Sequence, residues 1–207
     1  MEQVLDIYKR PYNPLRPVVC MDETPYQMIG HVREPQKAAP GKIARYDYEY
    51  FRSGVCNIFT AVEPLTGKRI LEVTERRTKE DWAKFIEKIA CAYEHAEKIT
   101  LVMDNLNTHT AGALYLAFKP ELAKSLRDRF EFAYTPKHGS WLNIAEIEIS
   151  VLKRQCLSRR MESIEVVHRE IDAWVEKRNA MDVLIDWQFT TSDARVKLKS
   201  LYPTLGP

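Results

Sequence analysis

Two hydrophobic periods organise the chain. Pro17-Val18-Val19-Cys20-Met21-Asp22 is a continuous apolar run that ends in a carboxylate, the pattern of a buried central strand. Ile99-Thr100-Leu101-Val102-Met103-Asp104 repeats it. Between them the period drops to two. Tyr46, Tyr48 and Tyr50 alternate with charged residues, Val55 to Val62 is β-branched and aromatic, and Arg69 to Val73 resumes after the turn residues Glu63-Pro64-Leu65-Thr66-Gly67. This middle region reads as antiparallel β structure. Phe130 to Tyr134 predicts one more short strand.

Helical spacing fills the remainder. Thr78 is the expected N-cap of a helix, with Asp81 in its first turn and Trp82, Phe85, Ile86, Ile89, Ala90 and Tyr93 on one face through to about Glu97. A second helix is expected around residues 110–128, interrupted by Pro120, and Ser140 is positioned to cap a long one from Trp141 to about Leu157. Another runs from Ser163 to about Asn179, and a short last one starts at Ser192. Residues 31–44 carry two prolines and a glycine without periodicity and read as a loop. The first sixteen residues, with Pro11 and Pro14 and then Pro17 behind them, read as a non-helical linker. The expected layout is a linker over 1–16, one domain over 17–190 and a tail over 191–207. Its fold class is α/β, a mixed sheet flanked by helices.

Composition narrows the setting. The 207 residues are 45% hydrophobic and 29% charged, ordinary for a soluble globular protein. No apolar run approaches the roughly 18 residues of a membrane span, so no membrane partner is expected. The polar N-terminus has no signal-peptide core, and a cytoplasmic setting is the default. Cys20, Cys56, Cys91 and Cys156 are widely spaced and lie at apolar positions; they read as reduced packing residues. The net charge of +2 decides nothing. Clusters at Lys68, Arg69, Arg76, Arg77 and Lys79, and at Lys153, Arg154, Arg159 and Arg160, suit either phosphate neutralisation or a solvated mixed-charge surface.

The chemistry lies at the strand ends. If the two aspartate-terminated strands lie parallel and adjacent, Asp22 and Asp104 meet at the carboxyl edge of the sheet, where open α/β sheets bind ligands. A third carboxylate would complete a site for a hard cation. The helix after Ser140 offers Glu146 and Glu148. On a helical wheel Glu148 falls inside the apolar arc and Glu146 at its border, beside Leu142 and Lys153. An interior glutamate needs a partner to offset its desolvation, which leans toward Glu146 without deciding between them.

The segments VVCMDETPYQ, ITLVMDNLNTHT and YTPKHGSWLNIAEIEIS resemble the three catalytic blocks of bacterial insertion-sequence DDE transposases of the mariner-like superfamily, over about residues 17–190. The resemblance implies an RNase H-like fold, a mixed five-stranded sheet with helices on both faces. It implies Asp22, Asp104 and Glu146 as catalytic and metal-binding residues for two Mg²⁺ or Mn²⁺ ions. Relatives read Asn-Pro-Ile-Glu where this chain has Asn143-Ile144-Ala145-Glu146, and the match falls on Glu146. DNA-contact candidates are Asn105, His109, Lys137, His138, Lys153 and Arg154.

The implied function is metal-dependent DNA strand cleavage and strand transfer, on double-stranded transposon ends and target DNA, by a homodimer at the bacterial nucleoid. Relatives carry helix-turn-helix modules ahead of the first catalytic strand, so end recognition is expected from a missing N-terminal region or a separate polypeptide. Two alternatives stand beside this. One is an RNase H-like ribonuclease, which should lack the Trp-Leu-Asn…Glu block. The other is a catalytically silent transposase remnant that binds DNA or forms dimers.

Overall fold

The computed structural model describes residues 1–106, 109–137 and 139–202. Five strands form one sheet: β1 Val18–His31, β2 Tyr50–Glu63, β3 Lys68–Thr74, β4 Ile99–Met103 and β5 Phe130–Tyr134, in the order β3-β2-β1-β4-β5. β1–β2 and β2–β3 pair antiparallel, whereas β1–β4 and β4–β5 pair parallel. The sheet is therefore mixed and five-stranded, as expected.

β1 runs well past Asp22 because β2 pairs with it from Cys20↔Val62 to His31↔Tyr50. Of the alternating tyrosines only Tyr50 joins a strand. Tyr46 and Tyr48 are highly exposed: a period of two forms a strand only where a neighbouring strand accepts its hydrogen bonds, and residues 46–48 have none.

Seven α-helices are described: α1 Glu2–Tyr8, α2 Lys79–Ala92, α3 Ala111–Ala117, α4 Pro120–Arg129, α5 Ala145–Gln155, α6 Ile164–Asn179 and α7 Thr191–Lys197. α2 opens on a full capping box, Thr78 and Asp81 each accepting the other's backbone N–H. Pro120 occupies the first turn of α4, where its missing N–H removes no bond and its fixed φ suits the helix. Ser163 caps α6 as expected. For α7 the cap is Thr190, two residues ahead of the expected start, in a second capping box with Asp193.

α2, α3 and α4 cover one face of the sheet, burying Trp82, Phe85, Ile86, Leu114 and Leu126 against Val19, Met21, Leu101 and Met103. α1, α5, α6 and α7 cover the other. Helices on both faces were expected, but α1 and α7 were not placed there. Residues 1–16 hold a helix rather than linker alone, because Pro11 and Pro14 lie beyond Tyr8 and end α1 without forbidding it. Val4, Leu5 and Ile7 are buried, Arg195 pairs with Glu2 at 2.7 Å and Thr191 donates to Asp6 at 2.8 Å. The start of the expected tail thus packs on the start of the expected linker.

The helix after Ser140 starts later than its cap suggests. Ser140–Leu142 form a single 3₁₀ turn, and α5 begins at Ala145, where Asn143 Oδ1 accepts the Ala145 N–H at 3.2 Å. Trp141 is left partly exposed, edge-on to Phe189. Cys20, Cys56 and Cys156 are buried packing residues, whereas Cys91 is exposed on α2.

Candidate active site

Strand parity decides which side chains reach the site. On β1, Val19 and Met21 enter the core under α2, and Cys20 enters the core under α5. Side chains alternate along a strand, so Asp22 shares the α5 face with Cys20, and Glu23 turns toward α2. The parallel register pairs Cys20 with Val102; two residues further along each strand are Asp22 and Asp104. β4 stops at Met103, and Asp104 leaves the sheet beside Asp22. Glu146 stands in the first turn of α5, where a carboxylate faces the positive end of the helix dipole. All three carboxylates line one open cleft, with Ser140, Ser150 and Lys153.

Asp22 is held from two sides. Its Oδ1 accepts the Glu23 N–H at 2.8 Å, and its Oδ2 lies 3.4 Å from the donating Asn143 Nδ2, which also donates to the Met21 carbonyl at 2.8 Å. Burial, helped by the negative charges of Glu23, Asp104 and Glu146, raises its carboxyl from 3.8 to about 7.

Behind the cleft, Glu23, Asp104 and His109 form a compact group whose ligand atoms lie within 4.8 Å of one another. His109 Nδ1 is 2.7 Å from Asp104 Oδ1, and its Nε2 is 3.1 Å from Glu23 Oε2. Arg77 pairs with Glu23 Oε1 at 3.1 Å. The imidazole packs against Trp82 with centroids 5.9 Å apart. Burial pulls its pKa down, but Asp104 and Glu23 outweigh that and hold it at about 9. The imidazole thus sits between the Asp104 and Glu23 carboxylates. His109 was a DNA-contact candidate; its side chain is wholly buried, which puts a phosphate out of its reach.

Glu148 has a different environment from Glu146. It is fully buried. Arg69, itself buried, grips it with Nε–Oε1 at 2.7 Å and Nη2–Oε2 at 3.2 Å, and Arg178 Nε approaches Oε1 at 3.0 Å. Arg69 also donates to the carbonyls of Gly67 and Val183. Gly67 is at φ +73, and a Cβ there would meet the Val183 oxygen at 2.6 Å, so only glycine fits under this network. Glu148 has the partners that an interior glutamate requires, and they occupy it.

The other DNA-contact candidates scatter. Lys153 lines the cleft. Asn105, Lys137 and Arg154 are exposed, and none of them lines it. His138 lies outside the described residues. The sequence reading gave Glu23 and Asn143 no role and placed Arg77 only in a basic cluster. Glu23 stood next to Asp22, and strand alternation was signal enough to place it on the opposite face. Asn143 and Arg77 act through partners about 120 and 54 residues away, which no local pattern reveals.

No curated protein matches the chain. Solved structures share its fold. The Mos1 mariner paired-end complex with Mn aligns at TM-score 0.57 and 18% identity, over 84% of this chain and 52% of that one. The Mos1 paired-end complex with Mg gives 0.56 and 15%, over 89% and 61%. The simian T-cell lymphotropic virus intasome, in complex with PP2A regulatory subunit B56 gamma, gives 0.54 and 13%, over 93% and 58%. This chain spans roughly half to three fifths of the length of those proteins' chains. At such identities the likeness shows the fold, the RNase H-like fold of transposases and integrases. The family model described as DDE superfamily endonuclease matches residues 17–168, most of the chain, with Asp22, Asp104 and Glu146 inside the match, and the chain belongs to that family.

Proposed function

We propose that this chain is the catalytic domain of a transposase of the mariner-like insertion-sequence kind, which cleaves DNA strands and transfers them to target DNA with Mg²⁺ or Mn²⁺. One observation carries the reading: Asp22, Asp104 and Glu146, from three separate elements, line a single open cleft. Mos1 complexes with Mn and with Mg are among the structures of this fold. The chain would act as a homodimer on paired DNA ends at the bacterial nucleoid. A helix-turn-helix region, on this or a separate polypeptide, would supply end recognition.

The residues suit hard cations. The three donors are carboxylates, and Asp104 Oδ1 is buried without an aligned hydrogen-bond donor. Their oxygens do not all fall within 4.8 Å of one another, and a pair of ions roughly 3.5–4 Å apart spreads its ligands more widely than one ion does. Such ions would activate the attacking oxygen and neutralise charge on the phosphodiester. The chain's own contribution is placement. Asn143 and the Glu23 amide fix Asp22, the His109 ring packs beside Asp104, and the Lys153 ammonium faces the same cleft to meet a phosphate.

The test is nicking of supercoiled DNA and joining of a 3′-hydroxyl end. Activity is expected in Mg²⁺ or Mn²⁺, lost in EDTA and restored by Mn²⁺. A gel shift with no cleavage in any divalent metal would instead assign the chain to a DNA-binding remnant.

Stability should carry the same signature. Without metal, the raised Asp22 carboxyl and the raised His109 both make the folded chain hold protons that the unfolded chain releases. Stability is therefore lost as pH climbs, from about 4 to 7 through Asp22 and from about 6.5 to 9 through His109, on the order of 3 kcal/mol per group. Carboxylates held low, such as Glu2 and Asp193, act below this window. Bound metal needs Asp22 ionised, so Mn²⁺ should stabilise most above pH 7. Thermal melts in EDTA and in Mn²⁺ at pH 5, 7 and 9 check this; a flat metal-free profile would sink the charge assignment.

A further inference from the structure

The turn that presents Glu146 is gripped from outside the family-matching segment. Tyr8, the last residue of α1, donates its hydroxyl to the Leu142 carbonyl at 2.7 Å and accepts the Ile144 N–H at 3.4 Å. The Cys20 thiol donates to the same oxygen at 3.6 Å. Leu142, Ile144 and Cys20 are all buried, so water does not substitute for these contacts. Cys20 precedes Asp22 by two residues, and Ile144 precedes Glu146 by two. One hydroxyl therefore touches the strand that carries the first carboxylate and the turn that carries the third.

The hydroxyl is held in place by its own helix. Val4, Leu5 and Ile7 are buried, the Tyr8 ring packs on Trp187 with centroids 5.3 Å apart, and α7 fastens α1 through Glu2 and Asp6. α1 precedes residue 17, where the family match begins. Asn143, between the two backbone groups that Tyr8 holds, ties the turn to Met21 and Asp22. The turn is thus clamped on both sides.

We propose that Tyr8 is a positioning residue for the metal site: docked α1 acts as a strut that sets the aim of Glu146 relative to Asp22. The inference rests on the reading of these carboxylates as metal ligands. Outer partners of metal ligands typically change metal affinity or activity by about 10- to 100-fold when removed.

Tyr8→Phe deletes one oxygen and keeps the ring on Trp187. Mn²⁺ binding to the full chain, measured by titration calorimetry, is expected to weaken about tenfold. The nicking kcat should fall while KM for DNA holds, and Tm should drop only about 2–4 °C. Val73→Ala, on β3 away from the turn, supplies a comparison variant destabilised at least as much, which should bind Mn²⁺ as the wild type does. Equal loss of affinity in Val73→Ala, or undiminished binding by Tyr8→Phe, overturns the proposal. p-Aminophenylalanine at position 8 keeps a donor toward Leu142 and should restore binding. It decides the matter if Tyr8→Phe does not fold, since lost affinity there too overturns the strut. If the wild-type chain binds no Mn²⁺, the functional reading falls and this one with it.

Discussion

Asp104→Asn is expected to lower metal-dependent strand cleavage at least about a thousandfold, the several kcal/mol of charge stabilisation that a metal ligand underwrites. Asp104 stands where two groups of residues meet. On one side it lines the cleft with Asp22 and Glu146, and on the other its Oδ1 lies 2.7 Å from His109. Asparagine keeps the shape and a carbonyl oxygen for the imidazole but removes the negative charge that holds a cation. Some stability should be lost with the His109 contact, for which Asp104 is the foremost charged partner, and relief of the minor repulsion on Asp22 offsets only part of it. Single-turnover nicking in saturating Mn²⁺, beside a thermal melt, separates the two effects. Wild-type cleavage rates in a folded Asp104→Asn protein would exclude the triad.

Glu148→Ala should have the largest effect on stability. Truncation strands the buried Arg69 guanidinium and removes the partner of Arg178. Breaking a buried ion pair from one side costs about 3–5 kcal/mol, against roughly 5–15 kcal/mol of total stability for a typical domain. Urea unfolding should show a midpoint far below that of the wild type. Glu146→Ala, two residues away and exposed, should leave the midpoint nearly unchanged while losing cleavage. The reverse ranking, with Glu146→Ala unfolding the chain and Glu148→Ala tolerated, would exchange the roles of the two residues.

That contrast shows how much was legible in the chain. The helical wheel brought Glu146 and Glu148 close to a decision but not to one, because the partner that settles Glu148 is Arg69, 79 residues earlier. The apolar runs ending in Asp22 and Asp104 were legible because a buried strand must be apolar throughout, and the parallel register then brings their ends together. Local chemistry placed Thr78, Pro120 and Ser163 within a residue or so of their elements. It misjudged α1, where the prolines follow the helix instead of interrupting it. It also misjudged Tyr46 and Tyr48, whose alternation has no strand to pair with. His109 was a DNA-contact candidate, since its two carboxylate partners converge on it only in the folded sheet.

β1 turns the Asp22 side chain into the cleft and buries the Glu23 side chain against Arg77 and His109, one residue apart on opposite faces, while β2 fixes which is which over a long antiparallel pairing. Length changes in the chain therefore have unequal consequences. Residues 32–49 connect the two strands from outside their pairing, and a few residues gained or lost there leave the pairing frame untouched. A single residue inserted inside the pairing, between Cys20 and Asp22, would put the strand on its two sides out of phase. Cys20 and Asp22 would then no longer share a face, and the carboxylate would lose its place relative to the core beneath it. For this fold the position of an insertion matters more than its size, and the connection between the first two strands is where a lineage or an engineer can add sequence without disturbing the cleft.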